Sequence, residues 1–71
     1  MMAEILAPMS GNIWKILVKE GDTVTQDQDI LIMEAMKMEI PVTSPLAGPV
    51  TSLKVQEGDS VEADTLLAVV G

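Results

Sequence analysis

The feature that most constrains the fold is an internal repeat, in which residues 7–33 align without a gap with residues 44–70 at an offset of 37 positions. The match rests on two pairs of turns: PMSG at 8–11 with PLAG at 45–48, and VKEGDTV at 18–24 with VQEGDSV at 55–61. Self-similarity at a fixed offset indicates a repeated supersecondary unit, and two copies are too few for a solenoid. We therefore expect a single domain over residues 1–71, in which the two halves form a closed two-fold pair around one shared core.

The repeated unit is predicted to be all-β. Gly or Pro interrupts every window long enough for a helix except residues 22–40, and β-branched residues cross that window. Short β-branched runs between turn signals predict eight strands. They lie near residues 5–7, 12–18, 23–24, 30–34, 39–43, 50–55, 60–61 and 66–70.

Comparison of the halves assigns strand faces. Alternation with a period of two places four residues in the core: Ile16, Val18, Leu53 and Val55. Leu17 occupies the position of Lys54 in the other half, so we expect its side chain to point outward despite being apolar. Trp14 matches Thr51, and both fall on the inward-facing positions of the alternation, near a strand end. This position predicts that Trp14 is a partly buried cap on the core.

Composition excludes several functions. The chain has no His and no Cys, so Ser–His and Cys–His nucleophile pairs, disulfides and zinc sites built on those ligands are absent. Eleven acidic residues against four lysines give a net charge of −7, which disfavours nucleic acid and anionic membranes as partners. No signal peptide or long apolar run is visible, and the lack of cysteine fits a reducing compartment. We therefore expect a cytoplasmic protein.

Acidic residues close together in the first half do not predict a metal site. Asp22, Asp27 and Asp29 lie within one short run. That run lacks the central Gly and the terminal Glu of a calcium loop. These acids are better explained as solvated turn residues, and we expect no bound metal.

Between the halves lies an unrepeated segment, EAMKME at residues 34–39. Strands that end at Glu34 and resume at Glu39 leave a tight hairpin turn. The favoured two-residue hairpin turns use Asn or Gly because both central residues need positive φ, and this turn has neither. Such a violation of local turn chemistry is typical of functional or strained sites.

The hairpin presents Lys37 as an acceptor rather than a catalyst. An unperturbed lysine amine is protonated at neutral pH, and the sequence offers no base to activate it, so Lys37 is suited to acylation by an enzyme that supplies its own base and an activated carboxyl donor. An ordinary solvated turn lysine is the alternative. Met36 and Met38 favour the functional interpretation, because Met adapts to irregular partner surfaces. Burial of both methionines in the core remains the competing possibility.

The segment 34–39 resembles the attachment sequence of the biotinyl domain family, the carrier domains of biotin-dependent carboxylases. The resemblance extends over about residues 4–70 through the segments APMSG at 7–11, VKEGDTV at 18–24, PLAG at 45–48 and EGDSV at 57–61. Asp27 and Asp64 stand where the family usually has Gly, a departure that concerns two turns and not Lys37.

The resemblance implies a flattened β-barrel or sandwich of two four-stranded halves with covalent biotin on Lys37. A biotin protein ligase would acylate that amine. The carrier would then take carboxybiotin between the biotin carboxylase and carboxyltransferase sites, with Met36 and Met38 presenting it. Glu34 and Glu39 either contact basic groups on the ligase or are solvated strand ends. Ala35 is small beside the target, where a larger side chain would obstruct the ligase.

Three alternatives stay open from the sequence. A lipoyl carrier has the same fold, but its motif usually places Asp before the lysine and a small residue after it, unlike Met36 and Met38. Some small domains of this kind are accepted by both ligases, so dual biotin and lipoyl attachment is possible. An unmodified β-module that binds proteins is the third. We expect a monomer in isolation, and the carboxylase and its acyl acceptor are set by the partner enzymes.

Overall fold

The computed structural model describes residues 2–71 and consists of eight short strands. They are β1 (Ala3–Leu6), β2 (Gly11–Ile16), β3 (Thr23–Val24), β4 (Asp29–Ala35), β5 (Met38–Thr43), β6 (Gly48–Leu53), β7 (Ser60–Val61) and β8 (Leu66–Val70). The all-β prediction is confirmed, and every predicted strand lies within two residues of an observed one. Residues 2–71 contain no helix with the length and hydropathy needed to span a membrane.

The strands form two four-stranded antiparallel sheets that follow the repeat. One sheet has the order β1-β8-β6-β3 and the other β5-β4-β2-β7. Each sheet therefore takes two strands from the part of the chain before Lys37 and two from the part after it, and the pseudo-two-fold axis exchanges the sheets. Because neither half can complete a sheet alone, the two copies must fold as one unit.

Hydrogen bonds between the halves obey the same symmetry. The Ile16 N–H donates to Glu57 Oε2 at 3.0 Å, and the Leu53 N–H donates to Glu20 Oε2 at 2.9 Å. Each half thus supplies one carboxylate to a backbone donor of the other. Hydrogen bonds to an ionised acceptor are stronger than neutral ones, so this reciprocal pair joins the halves outside the core.

Apolar side chains from both halves meet in one core between the sheets. Its fully buried members include Ile13, Val24, Ile30, Leu31, Met33, Val50, Leu67 and Val70. Of the four residues predicted to face inward, Val18 and Val55 are buried, and Ile16 and Leu53 are partly buried against the core. Leu17 is 49% exposed, which confirms its outward orientation.

The prediction that Trp14 caps the core is wrong, because a β-bulge reverses its face. In the register of β2 with β4, Ile13 pairs with Met33 and Lys15 pairs with Ile32, so Trp14 is the extra residue. An extra residue breaks the period-two alternation. Ile13 takes the inward position, and Trp14 is 44% exposed on the outer face of the sheet.

The turns that contain Asp27 and Asp64 adopt a left-handed backbone. Their φ angles are 68° and 69°, a region that Asp tolerates better than most non-Gly residues. The Asp27 N–H donates to the Ser44 carbonyl at 2.8 Å, and the Asp64 N–H donates to the Ala7 carbonyl at 2.8 Å. These equivalent bonds hold the two turns in the same conformation.

Candidate functional site

The segment at residues 34–39 forms a hairpin with a two-residue turn. Strands β4 and β5 pair as Glu34 with Glu39 and Ala35 with Met38, which leaves Met36 and Lys37 at the apex. Their φ angles are 52° and 64°, so both central residues have the positive φ of a type I′ turn. A left-handed conformation costs a residue with a side chain roughly 1–2 kcal/mol. The predicted conflict between turn residues and turn geometry is therefore present, and the rest of the structure must stabilise the turn.

The stem of the hairpin supplies that stabilisation. Six residues of β4 pair with residues of β5, and Met33 of the stem is fully buried in the core. The Ala35 side chain is 6% exposed and lies against the start of β2. The turn is thus attached to a packed, hydrogen-bonded ladder, which keeps its apex in a defined position.

Gly11 allows this close approach, a role that the sequence analysis missed. A Cβ at position 11 would lie 2.6 Å from the Glu34 carbonyl oxygen and 3.0 Å from the Ala35 Cβ. Only glycine fits there without moving the hairpin stem. The sequence signal for this contact is the match of Gly11 with Gly48, which by itself indicates only a turn.

The apex projects a lysine between two exposed methionines. Met36 is 84% exposed and Met38 is 64% exposed, and Lys37 is also exposed. Neither methionine packs into the core, so the competing possibility of joint burial is wrong. Soft apolar side chains held in solvent are typical of surfaces that contact a partner. The amine of Lys37 is therefore accessible to another protein with apolar groups on either side of it.

Glu34 and Glu39 lie directly opposite each other just below the apex, and both are exposed. Like charges that face each other across an antiparallel pair destabilise a sheet. Neither side chain packs in the core, and the repulsion between the two carboxylates lowers the stability of the sheet. Their presence therefore indicates a role in contact with a partner. A cationic surface would neutralise it.

Ala35 was expected to lie beside Lys37 where a larger side chain would obstruct a ligase, but its side chain is buried. Its side chain faces Gly11 and not the solvent around Lys37. A larger residue would first collide with the start of β2. Any effect of Ala35 on a ligase is therefore exerted through the position of the hairpin.

The acidic residues of the first half are not assembled around a common point. Within the part of the chain that the structure describes, no group of three or more carboxylates is close enough to hold a metal ion. Asp22 instead accepts a hydrogen bond from the Lys19 N–H at 3.0 Å, and Asp59 accepts one from the Gln56 N–H at 2.9 Å. These acids stabilise the two equivalent turns.

Comparison with known proteins finds one matching family and several relatives. A family model described as "Biotin-requiring enzyme" matches residues 1–70. The methylmalonyl-CoA carboxyltransferase 1.3S subunit of Propionibacterium freudenreichii subsp. shermanii is 64% identical over 36 residues, which are 51% of this chain and 29% of that protein. The biotin/lipoyl attachment protein of Bacillus subtilis (strain 168) is 50% identical over 36 residues, 51% of this chain and 49% of that protein.

A solved structure matches over the full chain. The crystal structure of Kluyveromyces lactis urea carboxylase superposes with a TM-score of 0.93 at 32% identity, and the match covers 100% of this chain and 6% of that one. Each of these three matches covers less than half the length of the other protein.

Proposed function

Because the chain belongs to the family of biotin-requiring enzymes, we propose that it is a carrier domain to which biotin is attached covalently at Lys37. The observation that carries this proposal is the position of Lys37 at the apex of a type I′ turn whose backbone is held in an unfavourable conformation by a packed stem. The other lysines of the chain, at positions 15, 19 and 54, do not lie on such a turn.

Attachment is an acyl transfer in which Lys37 is the nucleophile. Its amine attacks the carbonyl carbon of an activated biotin carboxyl group, an amide bond forms, the activating group leaves, and the amine loses a proton. The chain contains no His or Cys to accept that proton, so the base belongs to the ligase. When bound, biotin supplies a ureido nitrogen that carries a carboxyl group. The chain itself binds, orients and presents this group, so its role is that of a carrier and not a catalyst.

Met36 and Met38 have two uses in this account. Their flexible side chains fit the differently shaped entrances of successive active sites. They also surround the attachment point with apolar surface, which favours contact of the apex with protein over contact with water. Both properties follow from their exposure on either side of Lys37.

Glu34 and Glu39 are proposed to contact basic groups of a biotin protein ligase. Their placement directly opposite each other concentrates two negative charges next to the acceptor amine. Complementary charges accelerate association and fix orientation. Ala35 is proposed to act indirectly, because its small side chain lets the hairpin stem approach Gly11.

The partners in turnover are proposed to be a biotin carboxylase and a carboxyltransferase. The related 1.3S subunit and urea carboxylase have names that refer to carboxyl transfer, and this supports such partners. Tethering on Lys37 raises the effective concentration of the group at each active site. The acyl acceptor belongs to the partner enzyme. The monomeric state and the cytoplasmic location stay predictions.

Dual attachment of biotin and lipoate is the second candidate function. It is favoured by the 50% identity to a relative whose name includes both cofactors. Either ligase requires an exposed lysine on a tight hairpin, and this chain offers one. Met36 and Met38 favour biotin, since the lipoyl pattern usually has a small residue after the lysine.

The intact mass of the protein after co-expression tests these alternatives. The chain is produced with a biotin protein ligase, with a lipoyl ligase and with neither, beside Lys37→Arg and the control Lys15→Arg. One biotinoyl group gained only with the biotin ligase, and lost only in Lys37→Arg, is the expected result. Gain with both ligases makes the chain a dual carrier. No gain with either ligase overturns the carrier function and favours an unmodified protein-binding module.

A further inference from the structure

Trp14 is exposed at a position where the fold does not require an aromatic residue. The register of β6 with β8 passes from Val50 to Ser52 in the way that β2 passes from Ile13 to Lys15, so Thr51 is the extra residue of the equivalent bulge. The second half thus forms the same bulge with a small polar residue. Trp14 is the only aromatic residue of the chain and is 44% exposed.

Trp14 lies next to a row of three residues, two of them apolar, on the sheet that carries the hairpin, which we refer to as the apolar row. Lys15 pairs with Ile32, and Ile32 pairs with Pro41, so these three residues form one row across β2, β4 and β5. The Lys15 Nζ lies 5.7 Å from the centre of the Trp14 ring, which holds the amine over the aromatic face. Ile32 is half-buried and Pro41 is exposed. We call Trp14, Lys15, Ile32 and Pro41, together with Glu34 and Glu39, the hairpin face.

The hairpin face continues from the apex that bears Lys37. Asn12 pairs with Glu34, and Trp14 is two residues further along β2. At about 3.3 Å per residue, Trp14 lies roughly 16 Å from Lys37 along the sheet. The order from apex to sheet is thus methionines, paired glutamates and then the apolar row.

The apex alone is too small for an enzyme to bind stably. A specific protein interface buries about 800 Å² on each partner. The whole chain exposes 4338 Å², so such an interface covers close to one fifth of it. Three side chains at the apex cannot supply that area, and the bound enzyme must extend onto a neighbouring face.

The short reach of the unmodified lysine indicates which enzyme extends onto the face next to the apex. Before attachment, the nucleophile is an amine on a four-carbon stem, so the acylating enzyme must approach the hairpin closely. After attachment the arm is longer, and later enzymes can work from a greater distance. Glu34 and Glu39 face each other between the apex and the apolar row, and their two negative charges are complementary to a cationic surface.

We propose that the hairpin face is the docking surface for the biotin protein ligase, which covers Trp14 with an apolar pocket and Glu34 and Glu39 with basic side chains. This inference rests on the proposed function at Lys37. Trp is among the residue types most enriched at the positions that dominate binding energy in interfaces. The ligase is thus recognised through Trp14 as well as through the attachment segment.

Steady-state biotinylation kinetics with a purified biotin protein ligase, biotin and MgATP test the proposal. Trp14→Thr installs the residue that the equivalent bulge already carries at Thr51. The matched control is Leu17→Lys, which removes a similarly exposed apolar side chain and installs the residue of the equivalent position Lys54. We expect Trp14→Thr to raise KM about tenfold with kcat within about twofold of the parent, and Leu17→Lys to change neither. Thermal unfolding of both variants shows whether each remains folded.

Pro41→Lys is a second variant that does not depend on the bulge. It places a positive charge on the hairpin face at an edge strand, where loss of Pro breaks no pairing. We expect the ratio of its KM to the parental KM to exceed one, and this ratio to increase at low ionic strength, where repulsion between the new Lys and the basic side chains of the ligase is least screened. This variant keeps the proposal testable if Trp14→Thr does not fold.

Several results would overturn the inference. If folded Trp14→Thr and Pro41→Lys both retain the parental KM, the ligase does not use this face. If those variants lower only the rate of subsequent carboxyl transfer, the face serves the carboxylase instead. If the parent sediments as a dimer and Trp14→Thr as a monomer, a second copy covers the face. If the parent itself accepts no biotin, the proposed function fails and the inference falls with it.

Discussion

Substitution of Gly11 by Ala tests how the hairpin stem is positioned. The new Cβ would lie 2.6 Å from the Glu34 carbonyl oxygen and 3.0 Å from the Ala35 Cβ. The closer contact is a backbone atom within the β4–β5 ladder, so it cannot be relieved by a rotamer change. The start of β2 and the hairpin stem must therefore move apart.

The expected loss of stability follows from two opposing effects. Overpacking of a well-packed site costs about 1–3 kcal/mol, whereas replacement of Gly by Ala restricts the unfolded chain and returns about 0.4–1 kcal/mol. The net destabilisation is about 1–2 kcal/mol. In a chain of this size, 1 kcal/mol shifts Tm by about 4–8 °C, so Tm should fall by about 5–15 °C.

Thermal unfolding followed by far-UV circular dichroism measures the effect, and amide chemical shifts locate it. We expect the largest shift changes at residues 33–38 and in β2. Ala35→Gly in the Gly11→Ala background removes the contact at 3.0 Å but not the one at 2.6 Å, so it should restore little of the lost stability. A Gly11→Ala protein as stable as the parent, with unchanged shifts in the hairpin, would refute the reasoning.

Three further predictions concern the pseudo-symmetry and the core. Glu20→Ala and Glu57→Ala should each lower the free energy of unfolding by about 0.5–1.5 kcal/mol in urea titrations, and by equal amounts, since each removes one of two equivalent bonds. Gly21→Ala and Gly58→Ala should each cost about 1–2 kcal/mol and match each other, because both residues have φ of 94° and open space around them. Met33→Ala should cost about 2–5 kcal/mol, since the side chain is fully buried. A clear inequality within either symmetric pair, or a Met33→Ala protein of parental stability, would contradict the account.

Much of the fold could be predicted because the repeat provides two views of each position. Leu17 reads as core by hydrophobicity alone, and only its match with Lys54 assigns it to the surface. The eight strands follow from β-branched runs between Gly, Pro and Asp turns. The sequence did not predict that each sheet combines strands from both parts of the chain, because pairing between distant strands leaves no local signal in one sequence.

The orientation of Trp14 could not be derived from strict alternation, since a bulge inserts one residue and reverses the faces. A signal was nevertheless present. Ile13 and Ile16 are both apolar at a spacing of three, which one face of a regular strand cannot accommodate. Val50 and Leu53 repeat that spacing. The repetition of an irregular spacing in both halves indicates a bulge in each.

At the site, the sequence predicted the hairpin and its strained turn, and it missed the contact beneath them. The lack of Gly or Asn at Met36 and Lys37 was the informative signal, and both residues have positive φ. The close packing of Gly11 on Ala35 depends on two segments far apart in sequence. Such a contact becomes visible only when the strands are assembled.

The most direct test of the central claim is the location of biotin on the folded chain. The protein is biotinylated by a purified biotin protein ligase and digested, and its four lysines are examined by tandem mass spectrometry. The account predicts the biotinoyl group on Lys37 alone, with no modification at the other three lysines. Biotin on a lysine outside the hairpin, or a chain that stays unmodified while folded, would contradict it.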